Sequence, residues 1–329
     1  MSSTIRVHFA NDPSLLPERF HVSEAQVAAA LARYPDLRDA VEVSIDSLDG
    51  DMEQVREADV LVGWTFPDEM LADARRLRWI HVIGAGVDHL YPFDWVPNGV
   101  VVTNSSGIHV DRAGDFIAGG LLMLNSHMPL HFNAQQEHRW SPAHSDPIAG
   151  ETVVIVGVGT IGGEGARRAK GLGLHVRGVR RTGEARPGIV DEMYTPPDLE
   201  VALRGADFVV VCAALTPNSK SLIGRRELEL LPDRAGLINM ARAAIVDYDA
   251  LAATLRAGRL SGAILDVFDP EPLPSDSELW DCPRLVVTPH ISSDPLDYTE
   301  RWLEIFARNL SRFASDEPLS NQLRLDAGY

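Results

Sequence analysis

Short apolar runs alternate with stretches of helical spacing along the chain. Val60-Leu61-Val62-Gly63 precedes a helical pattern over Asp68 to Leu77, Trp79-Ile80-His81-Val82-Ile83 follows it, and Thr4 to Ala10 reads as the opening strand. A second series begins near Glu151 with Thr152-Val153-Val154-Ile155-Val156 and continues with strands over 175–179, 208–211, 236–239, 262–265 and 285–288. Repeated strand-then-helix units predict parallel sheets with helical crossovers, and strands this continuously apolar predict a sheet covered on both faces. The polar stretch from Phe132 to Gly150, with Pro142 and Pro147, reads as the link between the two series. Asp297 to Phe313, apolar at Trp302, Ile305, Phe306 and Leu310, reads as a helix that folds back on the first. No solenoid-type repeat or low-complexity tract interrupts the plan.

Composition narrows this picture without changing it. A length of 329 residues fits about two domains, each with its own core, which suits an enzyme with a cleft between domains. The apolar fraction of 45% and charged fraction of 23% are those of an ordinary globular protein. A formal net charge of −17 repels polyanions, so neither nucleic acid nor an acidic membrane face is expected as a partner, and any bound anion needs a local basic pocket. The two cysteines, Cys212 and Cys282, lack metal-ligand spacing and read as reduced thiols; no metal is expected. The N-terminus lacks a signal-peptide core, and the longest apolar run, Phe116 to Leu124, is far below membrane-spanning length. The expectation is a soluble, cytoplasmic protein.

Candidate chemistry begins at Gly157-Val158-Gly159-Thr160-Ile161-Gly162, which follows the strand 152–156 directly and opens a helix with Ala166, Ala169 and Leu172 on one face. In that context the glycines point to a bound dinucleotide: the first for the tight turn, the second for close approach of backbone to a pyrophosphate, the third for close helix packing. Helix N-terminal amides then face the phosphates. The next strand ends in Val179-Arg180-Arg181-Thr182, without the acidic residue that accepts ribose hydroxyls. Two guanidiniums and a hydroxyl suit a 2′-phosphate, with each charge-assisted bond worth roughly 1.5–3 kcal/mol, which favours NADP(H) while leaving NAD(H) open.

Three further segments stand at strand ends, where ligands sit in open α/β sheets. They run from Asn239 through Met240 and Arg242 to Asp247, from Leu265 through Asp266 and Glu271 to Pro272, and from Thr288 through His290 to Ser293. With the glycine turn and Leu215-Thr216-Pro217, they resemble the signatures of the D-isomer-specific 2-hydroxyacid dehydrogenase family, over nearly the whole chain. The resemblance implies two doubly wound parallel-sheet α/β domains: a Rossmann coenzyme domain over 104–292 and a discontinuous flavodoxin-like substrate domain over 1–103 and 293–329. Residue chemistry agrees. Hydride transfer to a 2-oxo acid needs a cation for carboxylate and carbonyl, which the planar fork of Arg242 supplies, and an acid for the developing alkoxide, which His290 supplies. Glu271 favours the imidazolium form of His290 and fixes its tautomer.

Cofactor contacts are expected at Gly157, Gly159, Thr160, Ile161, Gly162, Arg180, Arg181, Thr182, Ala214, Pro217, Met240 and Ser292. By resemblance Asp266 contacts the nicotinamide carboxamide; read from the residue alone it is equally a turn acceptor. Val82-Ile83-Gly84-Ala85-Gly86-Val87-Asp88 resembles the family loop whose amides, at Ala85 and Gly86, hold the substrate carboxylate. Trp64, His109 and Trp140 are candidates for the substrate side-chain pocket, although a structural role fits each. The stretch Phe116 to Leu124 resembles the family's dimerisation helix, so a homodimer is expected.

The chain departs from the family pattern at Ala243, where glycine is common after the arginine, at Asp115, where many members have glutamate, and at Ala214, where proline is usual. Glu271 separates it from the formate dehydrogenase branch, which pairs glutamine with the histidine. The leading reading is an NADP(H)-dependent reductase of glyoxylate, hydroxypyruvate or a related 2-oxo acid. A dinucleotide-sensing corepressor of the same fold is the alternative, which the catalytic residues do not exclude and the enzyme-sized core disfavours. The set Arg242, Glu271 and His290 argues against a hydrolase of S-adenosyl-type substrates.

Overall fold

The computed structural model describes residues 4–11, 20–46, 52–72 and 74–325. The chain divides into two compact units, residues 1–108 with 295–329, and residues 109–294.

In the first unit β1 (Ile5–Ala10), β2 (Val41–Asp46), β3 (Val60–Gly63), β4 (Trp79–Val82) and β5 (Val101–Asn104) form a parallel sheet of order β2-β1-β3-β4-β5. Side chains alternate faces along a strand, so a strand buried on both sides must be apolar throughout. Val60 and Val62 accordingly enter one core and Leu61 the other; Trp79 enters the first, Ile80 and Val82 the second. The helices between strands are short: α1 (Glu24–Leu31), closed by a capping box between Ser23 and Gln26, α2 (Met52–Arg56) and α3 (Asp68–Leu71). The helix expected to reach Leu77 stops at Leu71. The chain turns back through i→i+3 bonds, Ala74 N–H to Leu71 O and Leu77 N–H to Ala74 O, and Arg78 N–H joins Asp59 O (2.9 Å), so that β4 can start beside β3.

The second unit starts with α4 (Val110–Asn125) and α5 (Met128–Gln136), and then winds β6 (Thr152–Val156), α6 (Thr160–Gly171), β7 (His175–Val179), β8 (Glu192–Tyr194), α7 (Leu199–Leu203), β9 (Phe208–Val211), α8 (Arg225–Glu229), β10 (Gly236–Asn239), α9 (Tyr248–Arg256), β11 (Gly262–Leu265) and β12 (Leu285–Val287). All seven strands are parallel, in the order β12-β11-β10-β9-β6-β7-β8. Val154 and Val156 face one core, Val153 and Ile155 the other. The stretch 132–150 lies between the two strand series and inside the second unit, and α5 takes its first part to Gln136. The cause is α4, whose Ile117, Leu121 and Leu124 are fully buried in the core that also holds Val153, Ile155, Ile238 and Ile264.

Finally α10 (Tyr298–Ala314) returns to the first unit and covers β1 and β4. Its Phe306 lies edge-on to Phe9 at 5.2 Å and stacked on Trp79 at 5.3 Å, and its Trp302 is likewise buried. Each such side chain is worth about 1.5–3 kcal/mol of burial.

Candidate active site

In the second sheet the chain winds outward from β6 through β7 to β8, then returns to β9 and winds the other way. The reversal opens a crevice at the carboxyl ends of β6 and β9, where open α/β sheets bind ligands. The glycine turn occupies it. Gly157 has φ +98°, and a Cβ there would lie 2.4 Å from the Ala213 nitrogen, so the β6 and β9 loops touch through a missing side chain. A Cβ on Gly162 would lie 2.1 Å from the Gly157 carbonyl oxygen, which is why α6 can start so close to the sheet. A Cβ on Gly159 would meet nothing within 4 Å. That open backbone at the N-terminus of the twelve-residue α6 fits a pyrophosphate. Thr160 is exposed beside it and Ile161 half-buried; Ala214 and Pro217, beyond β9, are exposed.

Past β7, Arg181 and Thr182 are exposed, and the half-buried Arg180 reaches Glu184 with Nη1 at 2.8 Å. An exposed pair of this kind is worth little, so exchanging Glu184 for a phosphate costs little.

The loops after β10, β11 and β12 hold Arg242, Glu271 and His290. Glu271 and His290 come from different loops and meet at 2.8 Å between Oε2 and Nδ1. Glu271 is held by its other oxygen, which accepts the Phe268 N–H at 2.8 Å. A carboxylate partner puts the proton of the neutral His290 ring on Nδ1 and leaves Nε2 as an acceptor. His290 itself sits at φ 53°, in the left-handed region where a side chain pays for its Cβ.

Asp266 explains how that conformation persists. It is fully buried at the end of β11, and its oxygens accept from Thr288 Oγ1 (2.6 Å), Ile291 N–H (3.0 Å) and Ser292 N–H (2.9 Å). The loop is thus tied on both sides of His290 to one carboxylate. The structure employs Asp266 as the turn acceptor of the loop, a use that also buries Ser292. Met240 is equally shielded.

Arg242 stands at the entry of a 3₁₀ turn after β10, with extended backbone and its Nη1 donating to the Ala241 carbonyl at 2.7 Å. Its loop is shaped by Asn239, fully buried, whose Nδ2 donates to the Arg242 carbonyl (3.1 Å) and to Tyr248 Oη (2.9 Å), and whose Oδ1 accepts from Ala241 N–H (3.1 Å). Tyr248 passes the link on, donating to the Val267 carbonyl at 2.7 Å; burial raises its pKa and keeps the donor proton in place. Sequence reasoning assigned no role to Tyr248 or to the side chain of Asn239. The signal for Asn239 was an amide at the end of an apolar strand, and for Tyr248 there was none.

In the first unit the loop after β4 has its carbonyls drawn inward. Gly84 O accepts from Ser105 N–H at 3.0 Å and Ala85 O from Asn104 Nδ2 at 2.7 Å. A trans peptide sets N–H opposite C=O, so the N–H groups of Ala85 and Gly86 point away from those anchors. Trp64 packs on this loop, since a Cβ on Gly84 would lie 2.5 Å from its ring, and it stacks on His89 at 4.4 Å. Beneath, Trp79 Nε1 donates to Thr103 Oγ1 (2.8 Å), which is 2.9 Å from His81 Nδ1, while His81 Nε2 is 3.1 Å from Ser105 Oγ. Ser105 Oγ gives its own proton to the Val82 carbonyl (3.4 Å) and so accepts from His81 Nε2, which puts the proton of the neutral ring on Nε2 and leaves Nδ1 to accept from Thr103. Burial pushes its pKa down to about 3. Trp140, by contrast, is fully exposed and belongs to no core.

The family model described as "D-isomer specific 2-hydroxyacid dehydrogenase, NAD binding domain" matches residues 118–292. A glyoxylate reductase of Thermococcus litoralis is 33% identical over 289 residues, 84% of this chain and 86% of that one. The chain belongs to the D-isomer-specific 2-hydroxyacid dehydrogenase family. It is therefore an NAD(P)-dependent oxidoreductase with a nicotinamide dinucleotide as cofactor.

Solved family members agree with its architecture. A dehydrogenase from Xanthobacter autotrophicus Py2, in complex with NADPH and MES, superposes with a TM-score of 0.84 at 31% identity, covering 99% of this chain and 100% of that one. An NADPH-dependent glyoxylate/hydroxypyruvate reductase from Sinorhizobium meliloti, in complex with NADP and sulfate, gives 0.80 at 26% identity with the same coverage. Among the described residues no helix of this dehydrogenase is long and apolar enough to cross a membrane, and no group of three or more His, Cys, Asp or Glu could hold a metal ion.

Proposed function

We propose that this dehydrogenase reduces a small 2-oxo acid, glyoxylate or hydroxypyruvate, to the D-2-hydroxy acid with NADPH. The observation that carries the reading is the Glu271–His290 pair at 2.8 Å, in a loop tied down on both sides of the histidine. The cofactor, held by Gly157, Gly159, Thr160, Ile161 and Gly162 with Ala214, Pro217, Met240 and Ser292 around it, supplies the hydride. Glu271 stabilises the protonated ring of His290, and Nε2 then gives its proton to the oxygen that the hydride turns from carbonyl into alkoxide. Arg242, always charged, binds the substrate as a planar cation and withdraws electron density from the carbonyl. In the first unit the amides of Ala85 and Gly86 suit a carboxylate.

Arg180, Arg181 and Thr182 bind the 2′-phosphate, a reading supported by the NADPH and NADP carried by the two solved relatives. A homodimer is the expected assembly, supported by Leu122 on α4 and Phe132 on α5, which are exposed while the opposite stripe of α4 is buried in its own unit.

The test is a spectrophotometric panel of 2-oxo acids against NADPH and NADH. Oxidation of NADPH by glyoxylate or hydroxypyruvate, with a reduced rate for bulkier acids, is expected. No oxidation of either cofactor by any 2-oxo acid refutes the function; a clear preference for NADH refutes only the phosphate assignment.

A further inference from the structure

His109 is the first residue of the second unit, and Ser293 lies one residue before its end. His109 Nδ1 is 2.8 Å from the Ser293 carbonyl oxygen. A carbonyl only accepts, so the ring proton sits on Nδ1. The side chain is half-buried, and burial lowers its pKa; the Ser293 carbonyl and the Asp294 carboxylate oppose that, and the neighbouring His290 and Arg242 side chains reinforce it. His109 is thus a donor in the electrostatic neighbourhood of His290 and Arg242, and the net effect of its surroundings lowers its pKa.

The bond has a mechanical consequence. Asp266 secures the catalytic loop at Thr288, Ile291 and Ser292, but no bond of Asp266 reaches the next peptide group. His109 secures the one after that, through the Ser293 carbonyl. With His290 in a left-handed backbone conformation, any slack at 291–293 lets φ relax toward negative values and swings the imidazole off its line. We propose that His109 is a positioning residue for the reaction: its Nδ1–H, on the Ser293 carbonyl, fixes the downstream end of the catalytic loop and with it the direction of His290 Nε2. The proposal rests on His290 being the acid–base group.

Two substitutions separate this role from simple packing. Asparagine places its amide nitrogen where Nδ1 stands, whereas glutamine carries its nitrogen farther out and leucine has none. In His109→Leu and His109→Gln, kcat for glyoxylate is expected to fall by about tenfold or more, within the hundredfold that an ångström of misplacement can cost. KM and NADPH affinity are expected to stay within about twofold, because neither ligand is bound through this bond. His109→Asn is expected to recover kcat to within about threefold of the parent. Hydrogen exchange of the cofactor-free protein reads the clasp independently: the Ile291 and Ser292 amides exchange faster in the leucine and glutamine variants and at the parent rate in the asparagine variant. Equal losses in the asparagine and glutamine variants, an unchanged kcat in His109→Leu, or a loss confined to KM overturns the proposal. If the parent protein turns over no 2-oxo acid, the proposed function fails, and the exchange pattern still decides whether a δ-nitrogen donor holds this loop.

Discussion

Asp266→Asn separates two roles for one carboxylate. In the structure Oδ1 accepts two hydrogens, from Thr288 Oγ1 and Ile291 N–H, and Oδ2 accepts one, from Ser292 N–H. Asparagine has one acceptor oxygen. In its better orientation it keeps the two bonds of Oδ1 and turns an amide NH₂ toward the Ser292 N–H, donor against donor, in a site with no exposure to solvent. The loss of one bond to a charged acceptor is about 1.5–3 kcal/mol, and an unsatisfied buried donor adds about 1 kcal/mol or more. The second unit should therefore lose about 2.5–4 kcal/mol, a drop in its melting temperature on the order of 5–16 °C for a unit of this size. Differential scanning calorimetry of the cofactor-free protein measures this directly, and hydrogen exchange locates it at 288–293. A contact of Asp266 with the nicotinamide carboxamide adds a fall in NADPH affinity to this loss of stability, because the three loop bonds exist without cofactor. A stability change below about 0.5 kcal/mol with a large loss of NADPH affinity refutes the argument made from these three bonds.

Three other outcomes are expected. His290→Gln should lower kcat/KM by about a hundredfold to ten-thousandfold while NADPH affinity, measured by fluorescence titration, stays nearly unchanged; unchanged turnover removes the proton-transfer role. Replacing Arg180 and Arg181 together by alanine should weaken NADPH binding by about tenfold or more and leave NADH binding within about twofold, and equal weakening of both shows that the arginines do not read the 2′-phosphate. His81 stays neutral in the fold down to about pH 3 but titrates near 6.5 when unfolded, so its contribution to stability is present above about pH 6.5 and lost as pH falls toward 3. Between those limits His81→Asn should flatten the pH dependence of unfolding free energy by about 1.4 kcal/mol per pH unit relative to the parent, and parallel curves for the two proteins refute a buried neutral ring.

The legible part of this protein is the part whose signal is carried by side-chain identity at regular spacing. Strands β6, β9, β10 and β11 are nearly continuous apolar runs because both faces of the sheet are covered, and their bounds agree with the pattern to the residue. The pattern fails where one face is open. Strand β8 has only Met193 and Tyr194 beside Glu192, all half-buried at the sheet edge, and β2 alternates Val41, Val43 and Ile45 with polar residues. The same division runs through the candidate site. Arg242, Glu271 and His290 stand out because the proposed chemistry needs those side chains and strand ends present them. The groups that hold them do not stand out, because what they bind is backbone: Asn239 the Arg242 carbonyl, Tyr248 the Val267 carbonyl, His109 a carbonyl 184 positions away. A carbonyl is the same in every residue and leaves no mark in the sequence. Asp266 lies between the cases, since a buried carboxylate at a strand end fits a cofactor amide and a loop amide equally well until its hydrogen bonds are counted. In this dehydrogenase the proposed reacting groups are therefore written in the sequence, while the bonds that hold them are ones that only the folded chain brings together.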